Sequence, residues 1–238
     1  MSFVRRLTCV FVTLVSISPL AAHAADKVVI GDVDDPSGLY ADINGPRAVE
    51  AINMAIADFG GAALGQPIEL LTADHQNKPD IGASKFREWA DRKGLTMLLG
   101  GSNTGVSLAM APIAKERKIP FFAIGAAGAS LTGKDCNAYM IQYNYNTTAL
   151  SNGTAKAILD QGGKTWFFIT ADYAFGTQLQ QAATKVVETG GGKVVGRGRL
   201  LAAAAGRFRY GRNAPRPNLR VDADGCITVA QIRSAPTE

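Results

Sequence analysis

The feature that most constrains the fold is an alternation, starting at Lys27, of short β-rich runs with segments of helical periodicity. The first strand is predicted from Lys27 to Val33, and its Val28-Val29-Ile30 is a continuous apolar run, as expected of a strand buried on both faces of a parallel sheet. A helix is predicted from about Pro46, which suits a first helical turn, to Phe59, where two glycines stop it. This alternation is typical of βαβ units and predicts an α/β fold.

The same cycle recurs along the chain as far as residue 196. Strands are predicted at 68–73, 95–99, 120–124, 139–143, 165–170 and from 193, with helices at 79–93, 147–161, 176–188 and from Gly105 to about 118. Within the helix at 46–59, an apolar stripe at helical spacing is predicted to be core: Val49, Ile52, Ala55, Ile56 and Phe59. We divide this body into a first lobe over 26–146 and a partial second lobe over 147–196.

The N-terminus has the three zones of a secretory signal. Arg5 and Arg6 precede an apolar stretch from Leu7 to Leu20, and the small residues of Ala22-His23-Ala24 suit a signal peptidase. An apolar stretch of about 14 residues is shorter than the roughly 20 that span a bilayer. We therefore predict a cleaved signal peptide over 1–24 and a periplasmic or extracellular location.

The overall charge of +5 and pI near 9.2 would suit a nucleic-acid binder, but the charge is unevenly distributed. Residues 26–195 carry 15 Lys and Arg against 17 Asp and Glu, a net charge of −2. Residues 196–238 carry eight Arg against three acidic residues, a net charge of +5. The body is slightly acidic, so we expect no nucleic-acid partner for it.

The composition changes abruptly after Gly196. Lysine occurs 11 times from Lys27 to Lys193 and is then absent, while Arg, Ala, Gly and Pro dominate without periodicity. We predict a poorly ordered basic tail over 197–238, of the kind that an out-of-frame reading of a GC-rich gene would produce. The alternative is a genuine basic arm for nucleic acid or a membrane surface.

Three loops follow predicted strands, at the sheet edge where open parallel sheets bind ligands. The loop Gly100–Gly105 offers flexible backbone and the polar side chains of Ser102, Asn103 and Thr104, which suit a carboxylate or, alternatively, cap the next helix. The loop from Gly125 to Ser130 is small enough to leave room for a ligand or to form a tight turn. In the loop 36–40, Tyr40 can line a pocket or lie on the surface as an ordinary tyrosine.

Signatures of enzymes and metal sites are missing from the sequence. Thr104 replaces the second glycine of the G-x-S-x-G hydrolase motif, and His75 is the only histidine after the signal peptide. No phosphate-binding glycine motif occurs. Three clustered acids are predicted to form a solvated strand end: Asp32, Asp34 and Asp35. We predict no catalytic residue, no metal ligand and no cofactor.

The order of these motifs resembles that of type I periplasmic solute-binding proteins for branched-chain amino acids. The resemblance covers about residues 26–196 and rests on Lys27–Gly31, Ser37–Tyr40, Gly100–Thr104, Ile119–Phe121 and Gly125–Ala127. Two further stretches, 152–156 and 164–176, are similar to a subgroup of that family.

The resemblance implies a ligand held between two hinged lobes and delivered to an ABC permease that an ATPase drives. It implies that the loop of Ser102, Asn103 and Thr104 holds a small-molecule carboxylate through backbone amides and a hydroxyl. The segment Gly125, Ala126 and Ala127 would face the ligand's amino group. Tyr40 and Phe175 would line the pocket.

The chain departs from that family in two places. Ala127 replaces a threonine that would help to hold an ammonium group, and the acid that pairs with that ammonium should lie beyond residue 196, where the resemblance ends. An aromatic or other organic acid without an amino group needs neither partner, so the ligand class stays open. A sensory receptor with the same fold and a hydrolase using Ser102 are the competing functions.

Overall fold

The structure is a computed structural model that describes residues 27–38 and 40–200. The predicted signal peptide and the predicted tail from residue 201 onward lie outside the described residues. Within the described part of the chain, no helix is both long and apolar enough to cross a membrane.

The first unit is built on a six-stranded sheet in the order β2-β3-β1-β4-β5-β6. Its strands are β1 (Val28–Asp34), β2 (Ala62–Ala63), β3 (Gln66–Asp74), β4 (Leu95–Gly100), β5 (Phe121–Ala123) and β6 (Met140–Gln142). All pairs are parallel except β2, a short strand antiparallel to β3. The largely parallel sheet confirms the predicted α/β class. For each strand that was predicted in this unit, the observed first and last residues lie within two residues of the predicted ones.

One face of this sheet carries the main core. The helices of the unit are α1 (Ala41–Asn44), α2 (Pro46–Asp58), α3 (Pro79–Arg92) and α4 (Thr104–Arg117), and α3 and α4 pack together against this face. Phe86, Leu98 and Phe121 are fully buried there. A Cβ on Gly31 would lie 2.8 Å from the Trp89 ring, so a glycine in β1 allows the indole to pack directly on the strand.

The opposite face of the sheet is much less covered. Helix α2 lies on this side and has no buried residue, and Phe59 at its C-terminal end is 71% exposed. The prediction that the stripe of α2 is core is therefore wrong. The amphipathic pattern is present, but the helix that contacts α2 among the described residues is the four-residue α1, and Ile52 and Ile56 are only half-buried.

The second unit is a separate two-stranded parallel sheet. It consists of α5 (Thr147–Asp160), β7 (Thr165–Ala171), α6 (Ala174–Thr189) and β8 (Lys193–Leu200), with Trp166, Phe168 and Val187 in its core. Strand β8 pairs with β7 as far as Leu200. The composition change after Gly196 thus does not coincide with the end of the strand, which continues for four residues.

Candidate ligand-binding site

The carboxyl ends of β1, β3, β4 and β5 meet at one edge of the first sheet. Two glycines with positive φ make the turn at the end of β4: Gly100, the last residue of the strand, at +110° and Gly101 at +72°. A Cβ on Gly100 would lie 2.4 Å from the carbonyl oxygen of Val33, so this turn can form only with glycine. The amide of Gly101 donates to that same oxygen at 2.8 Å, which fixes the loop against the end of β1.

Helix α4 begins directly after this turn. The Oδ1 atom of Asn103 accepts hydrogen bonds from the amides of Gly105 at 2.6 Å and Val106 at 3.2 Å, which is the capping alternative that the sequence left open. Its Nδ2 donates to Asn77. The first four amides of a helix lack intrahelical acceptors, so those of Asn103 and Thr104 remain available to an anion at the positive end of α4.

Ser102 lies at the centre of a buried polar network. Its amide donates to Oδ1 of Asp34 at 2.8 Å, and its Oγ lies 3.1 Å from Nε2 of His75. The other ring nitrogen of His75, Nδ1, accepts from the amide of Asn77 at 2.9 Å. His75 is fully buried, and burial lowers the pKa of its imidazole although the charges of Asp35 and Asp74 act in the opposite direction. No role for this histidine was predicted from the sequence.

The three clustered acids are buried, so the prediction of a solvated strand end is wrong. Asp32, Asp34 and Asp35 are 2%, 1% and 0% exposed. Burial, followed by the charge of Asp32, raises the pKa of Asp34 to about 8, and burial raises the pKa of Asp32 to about 6. A cavity of about 180 Å³ borders Asp32, Asp34, Asn44 and Asp74 on the α2 side of the sheet. Among the described residues, no group of three or more His, Cys, Asp or Glu is arranged to hold a metal ion.

The loop after β5 packs against the loop after β4. A Cβ on Gly125 would lie 2.8 Å from both the Cα of Ser102 and Oδ1 of Asn44, so this glycine permits the close approach. The amide of Gly128 donates to Oγ1 of Thr104 at 3.1 Å. Gln142, at the end of β6, donates to the carbonyl oxygen of Ala126 at 2.8 Å. Ala126 and Ala127 are buried in this loop.

An aromatic cluster joins the first unit to the second. The hydroxyls of Tyr40 and Tyr173 are hydrogen-bonded to each other, and the Tyr40 and Tyr173 rings are 6.3 Å apart. Tyr173 in turn contacts Phe175, with ring centroids 5.9 Å apart. Nearby, Ser130 of the first unit and Gln178 of α6 exchange hydrogen bonds of 2.9 Å. Both contacts hold the end of β7 against the loops of the first sheet.

The structure therefore groups the predicted residues into two sets. One set surrounds the N-terminus of α4: Ser102, Asn103, Thr104, Gly125, Ala126 and Ala127. The other is the aromatic cluster, in which Tyr40 and Phe175 are linked through Tyr173. Their roles in ligand binding stay predictions. The participants that the sequence did not reveal are His75, Asn77, Gln142, Tyr173 and Gln178, each of which enters through a contact with a distant part of the chain.

A profile of the family described as "Periplasmic binding protein" matches residues 27–206. The Leu/Ile/Val-binding protein homolog 6 of Brucella abortus (strain 2308) is 27% identical over 186 residues, which are 77% of this chain and 47% of that protein. The chain thus spans about half the length of the curated relatives that it matches.

The solved structures have the same fold. A periplasmic binding protein from Burkholderia mallei is 52% identical, with a TM-score of 0.74, over 76% of this chain and 48% of that one. A branched chain amino acid ABC transporter periplasmic ligand-binding protein from Burkholderia xenovorans LB400 is 38% identical, with a TM-score of 0.63. The match covers 74% of this chain and 47% of that one. An ABC transporter solute binding protein from R. palustris, solved with 4-hydroxybenzoate, is 25% identical, with a TM-score of 0.66. The match covers 74% of this chain and 47% of that one.

Proposed function

Because the chain belongs to the periplasmic binding protein family, we propose that it is the substrate-binding component of an ABC importer and captures a small carboxylate. Related proteins are described as ligand-binding or solute-binding proteins of transporters, so the chain belongs with binding proteins and not with enzymes. The observation that carries the proposal is the polar loop at the N-terminus of α4, where the amides of Asn103 and Thr104 begin the helix beside the hydroxyls of Ser102 and Thr104.

The chemistry of this loop suits a carboxylate. Helix N-termini attract anions through free amides and the positive end of the helix dipole. Oγ1 of Thr104 accepts from the amide of Gly128, so its own hydrogen can be donated to a ligand oxygen. The loop 125–127 supplies only apolar side chains on the facing side, which favours an acid whose remaining part is apolar.

The ligand is either an amino acid or an aromatic or other organic acid. The relatives include a protein named for Leu, Ile and Val and a structure that contains 4-hydroxybenzoate. Ala127 has no hydroxyl to hold an ammonium group, and this supports an acid without an amino group. The tyrosine and phenylalanine rings of the aromatic cluster would then contact an apolar or aromatic ligand body.

The proposal includes location and partners. A signal peptide over 1–24 would export the chain to the periplasm, where it would deliver the acid to a membrane permease and its ATPase. The slightly acidic body and the absence of phosphate-binding motifs in the sequence support a small-molecule partner over a nucleic acid.

A thermal-shift screen of the full chain with leucine, valine, benzoate and 4-hydroxybenzoate tests the proposal. A ligand at 100 times its dissociation constant adds about 2.7 kcal/mol to the stability, which corresponds to roughly 5–10 °C for a chain of this size. If none of these acids, nor a wider set of small carboxylates, raises the melting temperature, the proposal fails.

The variant Thr104→Ala tests the site. It removes one hydrogen bond to a charged group and should weaken binding of the acid by about 1–3 kcal/mol. Thr148→Ala is the matched control, because Thr148 lies exposed on α5. Equal affinities of both variants would place the ligand elsewhere.

A further inference from the structure

His75 directly follows β3 and is fully buried. Each of its two ring nitrogens lies within hydrogen-bonding distance of another group. On one side is the backbone amide of Asn77, 2.9 Å from Nδ1. On the other is the hydroxyl of Ser102, 3.1 Å from Nε2. The backbone amide can only donate, and the hydroxyl can donate or accept.

The amide of Asn77 decides the tautomer of His75. Nδ1 must be unprotonated to accept from that amide, so the neutral ring carries its hydrogen on Nε2. The carboxylates of Asp35 and Asp74 favour the imidazolium, and the buried carboxyl of Asp34 reaches the same site through the amide of Ser102. Burial outweighs them, and an imidazolium would also point a second N–H at the amide of Asn77. Nε2 is therefore a donor, and Oγ of Ser102 accepts from it.

This arrangement leaves Ser102 with one hydrogen to donate. The amide of Ser102 already donates to Asp34, so the amide is not available to a ligand. The hydroxyl hydrogen can be donated to the Asp34 carboxyl or to an acceptor that enters beside Thr104. An anionic oxygen of a ligand can accept this hydrogen. A ligand N–H group in the same place would instead face the hydroxyl hydrogen of Ser102, because His75 directs that hydrogen towards the ligand.

We propose that His75 is a positioning residue that fixes Ser102 as a hydrogen-bond donor and so makes the site select a carboxylate over its neutral amide. The inference deepens the proposed function and rests on it. It assigns a role to the one buried imidazole in the described part of the chain, a residue that would not itself touch the ligand.

Matched variants separate this role from a merely structural one. His75→Gln keeps a donor near the Nε2 position, and His75→Met has a similar length without a donor. We would measure the dissociation constants of 4-hydroxybenzoate and 4-hydroxybenzamide, and of leucine and leucinamide, by titration calorimetry. The preference for acid over amide should fall by about tenfold in His75→Met and be largely kept in His75→Gln.

A double-mutant cycle with Ser102→Ala shows whether His75 acts through Ser102. In the Ser102→Ala background, His75→Met should change the acid-to-amide preference by less than about twofold, because the hydroxyl that His75 orients is gone. Independently of any ligand, ¹⁵N chemical shifts of the ring should show a protonated Nε2 and a bare Nδ1. The signal is assigned by its loss in His75→Gln, since His23 and His75 are the only histidines.

The outcomes are distinguishable. If the unmodified chain binds neither acid, the proposed function fails and this inference with it. If it binds an acid but His75→Met keeps the full preference, or the two substitutions act additively, or the proton lies on Nδ1, then the inference on His75 is wrong while the proposed function stands.

Discussion

Asp34 should make the stability of the chain fall as the pH rises. Its side chain is 1% exposed, and among the described residues its Oδ2 atom has no hydrogen-bond partner. Burial and the neighbouring Asp32 raise the pKa of Asp34 to about 8, whereas an unfolded aspartate has a pKa near 3.9. Between these two values the folded chain binds a proton that the unfolded chain has released.

The sign and the size follow from this difference in bound protons. When the folded state binds one proton more, the free energy of unfolding decreases by at most about 1.4 kcal/mol per pH unit. The contribution is present below pH 4, where both states are protonated, and is lost progressively up to the folded pKa near 8. From pH 5 to pH 8 the upper bound is about 4 kcal/mol, and Asp32 adds an effect of the same sign up to its pKa of about 6.

Urea denaturation of Asp34→Asn, followed by tryptophan fluorescence at pH 5, 6, 7 and 8, measures this effect. The asparagine keeps an oxygen for the amide of Ser102 and cannot ionise. Asp58→Asn, at an exposed position of α2, is the control and should follow the unmodified chain. We expect Asp34→Asn to flatten the decline and to be the most stable of the three at pH 8. A decline from pH 5 to pH 8 as steep as that of the unmodified chain would refute the reasoning.

Two further substitutions test the packing of the site by urea denaturation. Gly125→Ala puts a Cβ 2.8 Å from Asn44 and Ser102, and it should cost about 1–3 kcal/mol of stability; a neutral result would mean that the two loops separate easily. Tyr173→Phe removes the hydroxyl contact with Tyr40 and should lower the stability by about 1 kcal/mol, and an unchanged midpoint would show that this contact contributes nothing.

Most of the fold could be predicted because its strands and helices are encoded by local periodicity. What periodicity could not show is how much of each apolar face is covered. The stripe of α2 has the spacing of a core helix, yet Phe59 is exposed because the covering surface depends on which other elements pack there. The same limit applies to β8, since its pairing with β7 continues through Arg197 and Arg199, which have no strand-like pattern of their own.

The candidate site was predictable where it depends on strand ends and glycines, and not where it depends on contacts across the sheet. The loop Gly100–Thr104 follows from the parallel topology alone. The burial of Asp34 could not be inferred, because the covering groups come from the loops after β3 and β4. The signal that could have revealed His75 is its place at a strand end directly after an aspartate, at the same sheet edge as Ser102.

The buried aspartates also determine how a carboxylate can bind beside them. An ionised Asp34 would compete for the hydroxyl of Ser102 and would repel an anion by about 3 kcal/mol for two unit charges 5 Å apart at an effective dielectric constant of 20. A protonated Asp34 neither competes for the hydroxyl nor repels the anion, so protonation of Asp34 raises the affinity for the acid. By linkage, the bound acid raises the proton affinity of Asp34 by the same factor. The affinity for 4-hydroxybenzoate should therefore fall as the pH rises from 7 to 9, through the raised pKa of Asp34 near 8. Titration calorimetry over this range should show that the affinity of Asp34→Asn is nearly constant, and a parallel fall in both chains would mean that another group controls the binding of the anion.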